Sequence, residues 1–267
     1  MADKVTVPEV VGRKQAGGKI TCLTAYDYSL ARILDEAKID IILVGDSVGC
    51  VFQGQSNTLP VTVDEMIYHT RAVARGSKRA LLVSDMPFLS YQVSQEQAIK
   101  NAGRLLQEGG AEAVKLEGGS AVHETVEAIV KIGIPVMGHV GLTPQSVHRF
   151  GGYKVQGKSK EQRRQVMDDA LAVEAAGAFA VVLEGIPLDL AGEITDRLRI
   201  PTIGIGAGPH CDGQVLVIHD MLGLFDDFTP KFVKRYADLK PLLIGAVQGF
   251  IKEVREEVFP GKEHSFH

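Results

Sequence analysis

The chain has no tryptophan, and aromatic residues make up only 6% of its 267 residues, so its core must be built from aliphatic side chains. No apolar stretch reaches membrane-spanning length, and no charged n-region followed by an apolar h-region opens the sequence. The first residues, MADKVTVPEV, are too acidic and too short for a transit peptide. A basic excess is also missing. The formal net charge is -4 and no Lys/Arg block occurs, which argues against nucleic-acid binding. Cys22, Cys50 and Cys211 are odd in number and follow no pairing pattern, so thiols in a reducing cytoplasm are expected rather than a disulfide framework. Linkers, low-complexity tracts and a second composition are absent too, and one domain over 1–267 is expected.

What is present is a regular alternation. Apolar runs at 20–25, 40–46, 80–86, 113–118, 134–140, 179–184, 200–205 and 214–219 read as buried strands. Helical patterns separate them at 25–38, 62–76, 94–107, 120–131, 161–176 and 188–198, and a long one closes the chain at 231–258. Capping-box residues start two of these, Thr62 with Glu65 and Ser94 with Gln97, and Gly177 is placed to end another. Strand then helix, repeated eight times, predicts parallel strands in a closed (β/α)8 TIM barrel, with an open doubly wound sheet as the competing arrangement. The segment 7–18 precedes the first strand and reads as a short helix across the barrel floor. Two βα connections, 48–60 and 141–159, are too long for simple turns and read as lids, binding loops or solvated loops.

Four of the apolar runs end on charge: Asp46, Asp85, Lys115 with Glu117, and Glu184. In a barrel these positions meet at the C-terminal rim, where active sites are built from several strand ends. Asp46 and Asp85 are hard oxygen donors on adjacent strands, the donor type that Mg²⁺ takes in ones and twos. Glu117 is either a third ligand or holds a metal-bound water, and crowding three carboxylates favours a cation. Lys115 lies two residues before Glu117 and shares its face. It can neutralise a substrate carboxylate, form a Schiff base, or serve only as a counter-ion. Glu184 reads as a lone carboxylate in apolar company, with a raised pKa suited to a general base. His139 ends the fifth run and either donates to a ligand oxygen or packs as a structural histidine. Ser47 offers a hydroxyl beside Asp46. The GIGAG run at 204–208 suits either a phosphate cradle or close backbone packing.

The strings TAYDYSLA, LVGDSVG, TLPVTVDEM, DMPF, VKLEGG, GHVGLTPQS, FGGYKVQGK, LEGIP, IPTIGIGAG and FPGKEHSFH, in this order from about Thr21 to His267, resemble the ketopantoate hydroxymethyltransferase family. The resemblance implies a TIM barrel of the phosphoenolpyruvate mutase/isocitrate lyase type. It implies transfer of a one-carbon unit from 5,10-methylenetetrahydrofolate to 3-methyl-2-oxobutanoate, giving 2-dehydropantoate on the way to pantothenate. Carried onto this sequence, it implies Asp46 and Asp85 as Mg²⁺ ligands and Glu117 in the metal's environment. Ser47 and Lys115 then hold the oxo acid, with Asp46, Asp85 and His139 around it, and Glu184 is the base. A cytoplasmic homodecamer is implied as well. The basic loop with Arg149, Lys154 and Lys158 would close over the folate or steer its glutamate tail. A folate-independent lyase or mutase of the same superfamily is the rival activity. A Schiff-base aldolase at Lys115 and a non-catalytic metabolite-binding barrel are further alternatives.

Overall fold

The computed structural model describes residues 4–226 and 229–266. The apolar runs become β1 (Ile20–Thr24), β2 (Ile41–Val44), β3 (Leu81–Asp85), β4 (Ala113–Glu117), β5 (Val136–Gly141), β6 (Ala180–Glu184), β7 (Thr202–Ile205) and β8 (Gly213–Leu216). Among the described residues these eight strands pair in parallel, each with the next in the chain, and close as a barrel. Closure is decided by β8 returning to β1, where Ile20 pairs with Gly213 and Leu23 with Leu216. The open-sheet arrangement is thereby excluded. β2, β3 and β4 are buried at every position, as strands covered on both faces must be.

Side-chain alternation divides each strand between the interior and the surrounding helices. Ile20, Cys22, Ile41, Leu43, Leu81, Val83, Ala113, Met137, Ala180, Val182, Ile203 and Val215 fill the barrel interior. Counting on by two from these residues reaches Asp85, Lys115, Glu117, His139 and Glu184. One parity therefore supplies both the aliphatic core below and the charged groups at the C-terminal mouth.

The floor is closed by α1 (Val7–Gln15), whose Val10 joins the interior cluster together with Val5. Glu9 and Thr6 cap its start reciprocally. Arg13 reaches Asp40 at 2.6 Å, and Lys14 reaches Asp212 at 2.8 Å, so two acids at strand starts fix the helix beneath the barrel.

The connections carry α2 (Tyr28–Glu36), α3 (Val48–Val51), α4 (Val63–Gly76), α5 (Gln95–Gln107), α6 (His123–Lys131), α7 (Val147–Phe150), α8 (Lys160–Ala175) and α9 (Leu188–Arg197). α2 starts later than its periodicity suggests because the Asp27 carboxylate accepts the N–H groups of Ser29 and Leu30 and sets the cap there. The turn Ser120–Val122 is a 3₁₀ helix ahead of α6.

The chain forms two compact units, one running to Val217 and the other beginning at Ile218. The second holds α10 (Ile218–Met221) and α11 (Leu239–Arg255). The long helix expected over 231–258 begins only at Leu239. Ahead of it, Tyr236 N–H donates to Met221 O and Leu239 N–H to Leu222 O, which commits that stretch to pairing with the end of α10. Among the described residues no helix is long and apolar enough to cross a membrane.

Candidate active site

The strand register places the charged groups side by side. Asp85 of β3 is level with Lys115 of β4, Glu117 with His139 of β5, and Gly141 with Glu184 of β6. Asp46 follows β2 through Gly45, a position where a Cβ would lie 2.7 Å from Ser47 Oγ and 3.5 Å from Asp85 Oδ2. Without a side chain there the backbone turns in, and Asp46 N–H donates to Asp85 Oδ2 at 3.0 Å. Ser47 Oγ lies 2.8 Å from the Tyr26 hydroxyl.

A line of polar contacts crosses the mouth. Lys115 Nζ is 2.9 Å from Asp85 Oδ1 and 3.3 Å from His139 Nδ1. On the far side His139 Nε2 is 3.2 Å from Glu184 Oε2, and His139 Nδ1 is 3.5 Å from Glu117 Oε1. Glu184 is therefore not the lone carboxylate in apolar company that its sequence neighbours suggested. The neighbouring strand β5 contributes an imidazole from His139, 45 positions away in the chain, a contact set by the β5–β6 register and not by local sequence. Glu184 is also the most open of these groups, with its side chain 14% exposed against 4% for His139.

Burial sets the electrostatics. Burial, then the neighbouring Asp85 and Glu117 charges, holds Asp46 well above the usual carboxylate range. Asp85 is also raised, because its burial outweighs the relief from Lys115. Burial opposes the Lys115 charge, but Asp85, Glu117 and Asp46 together outweigh it and raise that ammonium. A Schiff base needs the neutral amine, so this environment works against the aldolase alternative. His139 is pulled down by burial and by Lys115, yet Glu117 and Glu184 lift it to about 9.

Two residues without any marked signal in the sequence complete the site. Gln145, on the 3₁₀ turn Pro144–Ser146, donates from Nε2 to Asp46 Oδ2 at 2.8 Å, and its backbone N–H donates to Glu117 Oε2 at 2.9 Å. Tyr91 is buried, donating its hydroxyl to Gln145 Oε1 at 2.7 Å and accepting from Glu117 N–H at 3.1 Å. The only hint was Gln145's place inside the long 141–159 connection. That connection also carries Tyr153, whose phenol is pushed up to about 12 by burial and by Cys50, Glu184, Asp46 and Glu117. Arg149, Lys154 and Lys158 on it are exposed.

Among the described residues no three His, Cys, Asp or Glu side chains are grouped to bind one cation. Asp46, Asp85 and Glu117 are thus drawn into one network without forming a complete three-ligand set. GIGAG resolves as close packing. A Cβ at Gly208 would meet Leu188 Cβ at 2.5 Å, and one at Gly204 would meet Cys211 Sγ at 2.9 Å.

The model of the family described as ketopantoate hydroxymethyltransferase matches residues 4–262. The chain belongs to that family. A Geobacter metallireducens protein named 3-methyl-2-oxobutanoate hydroxymethyltransferase is 64% identical over 266 residues, covering 100% of both chains. A Thermoanaerobacter protein of the same name is 56% identical and covers 100% of this chain and 97% of its own. Among solved structures, phosphonopyruvate hydrolase has a TM-score of 0.63 at 12% identity, covering 99% of this chain and 92% of its own. The 2,3-dimethylmalate lyase, described as a PEP mutase/isocitrate lyase superfamily member, has a TM-score of 0.60 at 14% identity, covering 97% and 91%. These structures share the closed parallel barrel that the strand order displays.

Proposed function

We propose that this protein transfers a hydroxymethyl group from 5,10-methylenetetrahydrofolate to 3-methyl-2-oxobutanoate, giving 2-dehydropantoate, the first committed step of pantothenate synthesis. The observation that carries this reading is the family match across 4–262, joined to a mouth in which Glu184 and the Asp46/Asp85 pair stand on opposite sides of Lys115 and His139.

The residues fit a divalent cation, and Mg²⁺ is the ion proposed. Asp46 is buried against two other carboxylates, Asp85 and Glu117, while the Lys115 ammonium is paired at 2.9 Å with Asp85 Oδ1. All donors are hard oxygens, and a pair of carboxylates leaves the positions that Mg²⁺ gives to water and substrate. Asp46 and Asp85 would hold the ion, with Glu117 beside it. Bound there, the metal supplies Lewis-acid polarisation of a carbonyl oxygen.

The chain's own groups do the rest. Lys115 holds the substrate carboxylate by charge, with Ser47 Oγ as a neutral partner. Asp46, Asp85 and His139 line the same position. Glu184, the most open carboxylate of the mouth, takes the proton from C3 of the oxo acid. His139, whose Nε2 lies 3.2 Å from Glu184 Oε2, stabilises the carboxylate's charge before the transfer. The carbanion at C3 then bonds to the folate's methylene carbon as one of its two C–N bonds opens, and water replaces the second, leaving 2-dehydropantoate with its new hydroxyl and tetrahydrofolate with the protons on its nitrogens. The exposed Arg149, Lys154 and Lys158 would receive the folate's anionic tail. The protein is proposed to work in the cytoplasm as a homo-oligomer, the decamer that the family resemblance implies. The exposed apolar residues Leu242, Leu243, Val247 and Phe250 on α11 support association.

The test is deuterium exchange at C3 of 3-methyl-2-oxobutanoate, followed by NMR with and without Mg²⁺, in the wild type and in Glu184→Gln. Metal-dependent exchange that disappears in Glu184→Gln is expected, with 2-dehydropantoate appearing only when the folate is added. Exchange that survives Glu184→Gln would remove that residue from the role. Turnover of the oxo acid without folate would move the protein to the lyase class.

A further inference from the structure

Gln145 has spent all of its hydrogen-bonding capacity inside the protein. Its amide nitrogen carries two N–H donors, and they go to Asp46 Oδ2 at 2.8 Å and Met86 O at 3.0 Å. Its carbonyl oxygen accepts from the Tyr91 hydroxyl at 2.7 Å and from Gln92 Nε2 at 3.3 Å. A flipped amide would set its oxygen against the Asp46 carboxylate and the Met86 carbonyl, so only one orientation satisfies the surroundings. The backbone N–H of the same residue is committed to Glu117 Oε2 at 2.9 Å. A side chain so fully engaged has nothing left for substrate, and its partners are two of the acids that face the mouth.

We infer that Gln145 is a positioning residue for the metal. It occupies one oxygen of Asp46 and one of Glu117, leaving Asp46 Oδ1 and Glu117 Oε1 as the oxygens turned to the site. This inference rests on the divalent-cation reading above. Glu117 Oε1 lies 3.5 Å from His139 Nδ1, and the hydrogen bond from Gln145 Nε2 falls on the other oxygen of Asp46, Oδ2. The constraint is long-range, since Gln145 and Asp46 are 99 residues apart in the chain. It brings the 141–159 connection to the β2 and β3 ends through one side chain. Tyr91 is the second member. Its hydroxyl tells the amide which end faces Asp46, and it lies against Glu117 N and O as well. Rotamer freedom that the two carboxylates would otherwise lose on binding the ion is already lost in the folded protein.

The experiment uses Mn²⁺ as the probe on the full-length, EDTA-treated protein, with free Mn²⁺ read by EPR. Wild type, Gln145→Met and Tyr91→Phe are titrated, and each is also unfolded in urea without metal. Gln145→Met is expected to bind Mn²⁺ about tenfold more weakly or worse, the usual effect of removing a group that orients a ligand. Tyr91→Phe, which keeps the ring and the glutamine, is expected to fall between the two. Its urea midpoint should fall, since the buried Glu117 N–H and Gln145 Oε1 both lose a partner, but a purely structural role would leave the Mn²⁺ affinity of the folded variant unchanged. If both variants bind Mn²⁺ as tightly as the wild type, Gln145 does not position the ligands. If the wild type itself takes up no Mn²⁺, the metal reading fails instead. Should Gln145→Met not fold, Tyr91→Phe alone decides, because removing one hydroxyl leaves packing intact.

Discussion

Asp40 offers a way to separate what holds this barrel together from what it does. The residue lies at the start of β2, at the floor, and is 6% exposed. Its carboxylate receives Arg13 Nη1 at 2.6 Å, Arg79 Nη2 at 3.8 Å, Thr21 N–H at 2.9 Å and Thr21 Oγ1 at 2.7 Å. Asp40→Asn keeps an oxygen for Thr21 but removes the charge that faces both guanidiniums. Breaking a fully buried pair costs about 3–5 kcal/mol. Here the arginine side chains are 29% and 22% exposed, so water recovers part of the loss. A cost of about 2 kcal/mol follows, within the range for hydrogen bonds to charged groups. For a unit of this size that is a fall of about 4–8 °C in Tm.

The pH dependence gives the sharper check. Burial raises the Asp40 carboxyl, but the hydrogen bonds from Thr21 and Arg13 outweigh it, and the net value lies below the ordinary 3.8. A depressed folded value means the unfolded chain binds the proton more readily, so stability rises with pH through that window. The difference between wild type and Asp40→Asn should be complete above about pH 5 and shrink toward zero as the pH falls through the folded value. Urea unfolding across pH measures it, with turnover recorded under native conditions. Because the floor of a barrel carries stability and its mouth carries chemistry, kcat should be unchanged. A stability difference that stays constant into acid, or lost turnover in folded Asp40→Asn, would refute the reasoning.

Lys115→Met should lower the unfolding free energy of metal-free protein by about 3–5 kcal/mol, since Asp85 loses its 2.9 Å partner while Asp46 and Glu117 remain nearby. Saturating Mg²⁺ at a hundred times its Kd should return about 2.7 kcal/mol, and urea midpoints with and without Mg²⁺ measure both quantities. Replacing Arg149, Lys154 and Lys158 together by Gln should raise KM for the folate severalfold while leaving C3 exchange of the oxo acid unchanged. Equal folate KM in that variant would remove the loop from folate binding.

The barrel was legible because its signals are local. A parallel strand covered on both faces is a short apolar run, and a carboxylate at the end of such a run has no packing reason to be there. Asp46, Asp85, Lys115, Glu117, His139 and Glu184 could therefore be picked out before any strand was paired. Closure, by contrast, needed the β8–β1 ladder, which no window of sequence contains. The His139–Glu184 contact needed the β5–β6 register. The exchange of hydrogen bonds among Gln145, Tyr91, Asp46 and Glu117 joins a 3₁₀ turn after β5 to loops after β2 and β3. A glutamine in a polar loop looks the same whether it faces solvent or a buried carboxylate. Periodicity and strand-end charge determined the architecture and the cast of acids, because burial and pleat act over a few residues. Which oxygen of each acid is left to face the mouth was decided only when distant loops came together, because directional hydrogen bonds depend on positions that the chain brings into contact by folding.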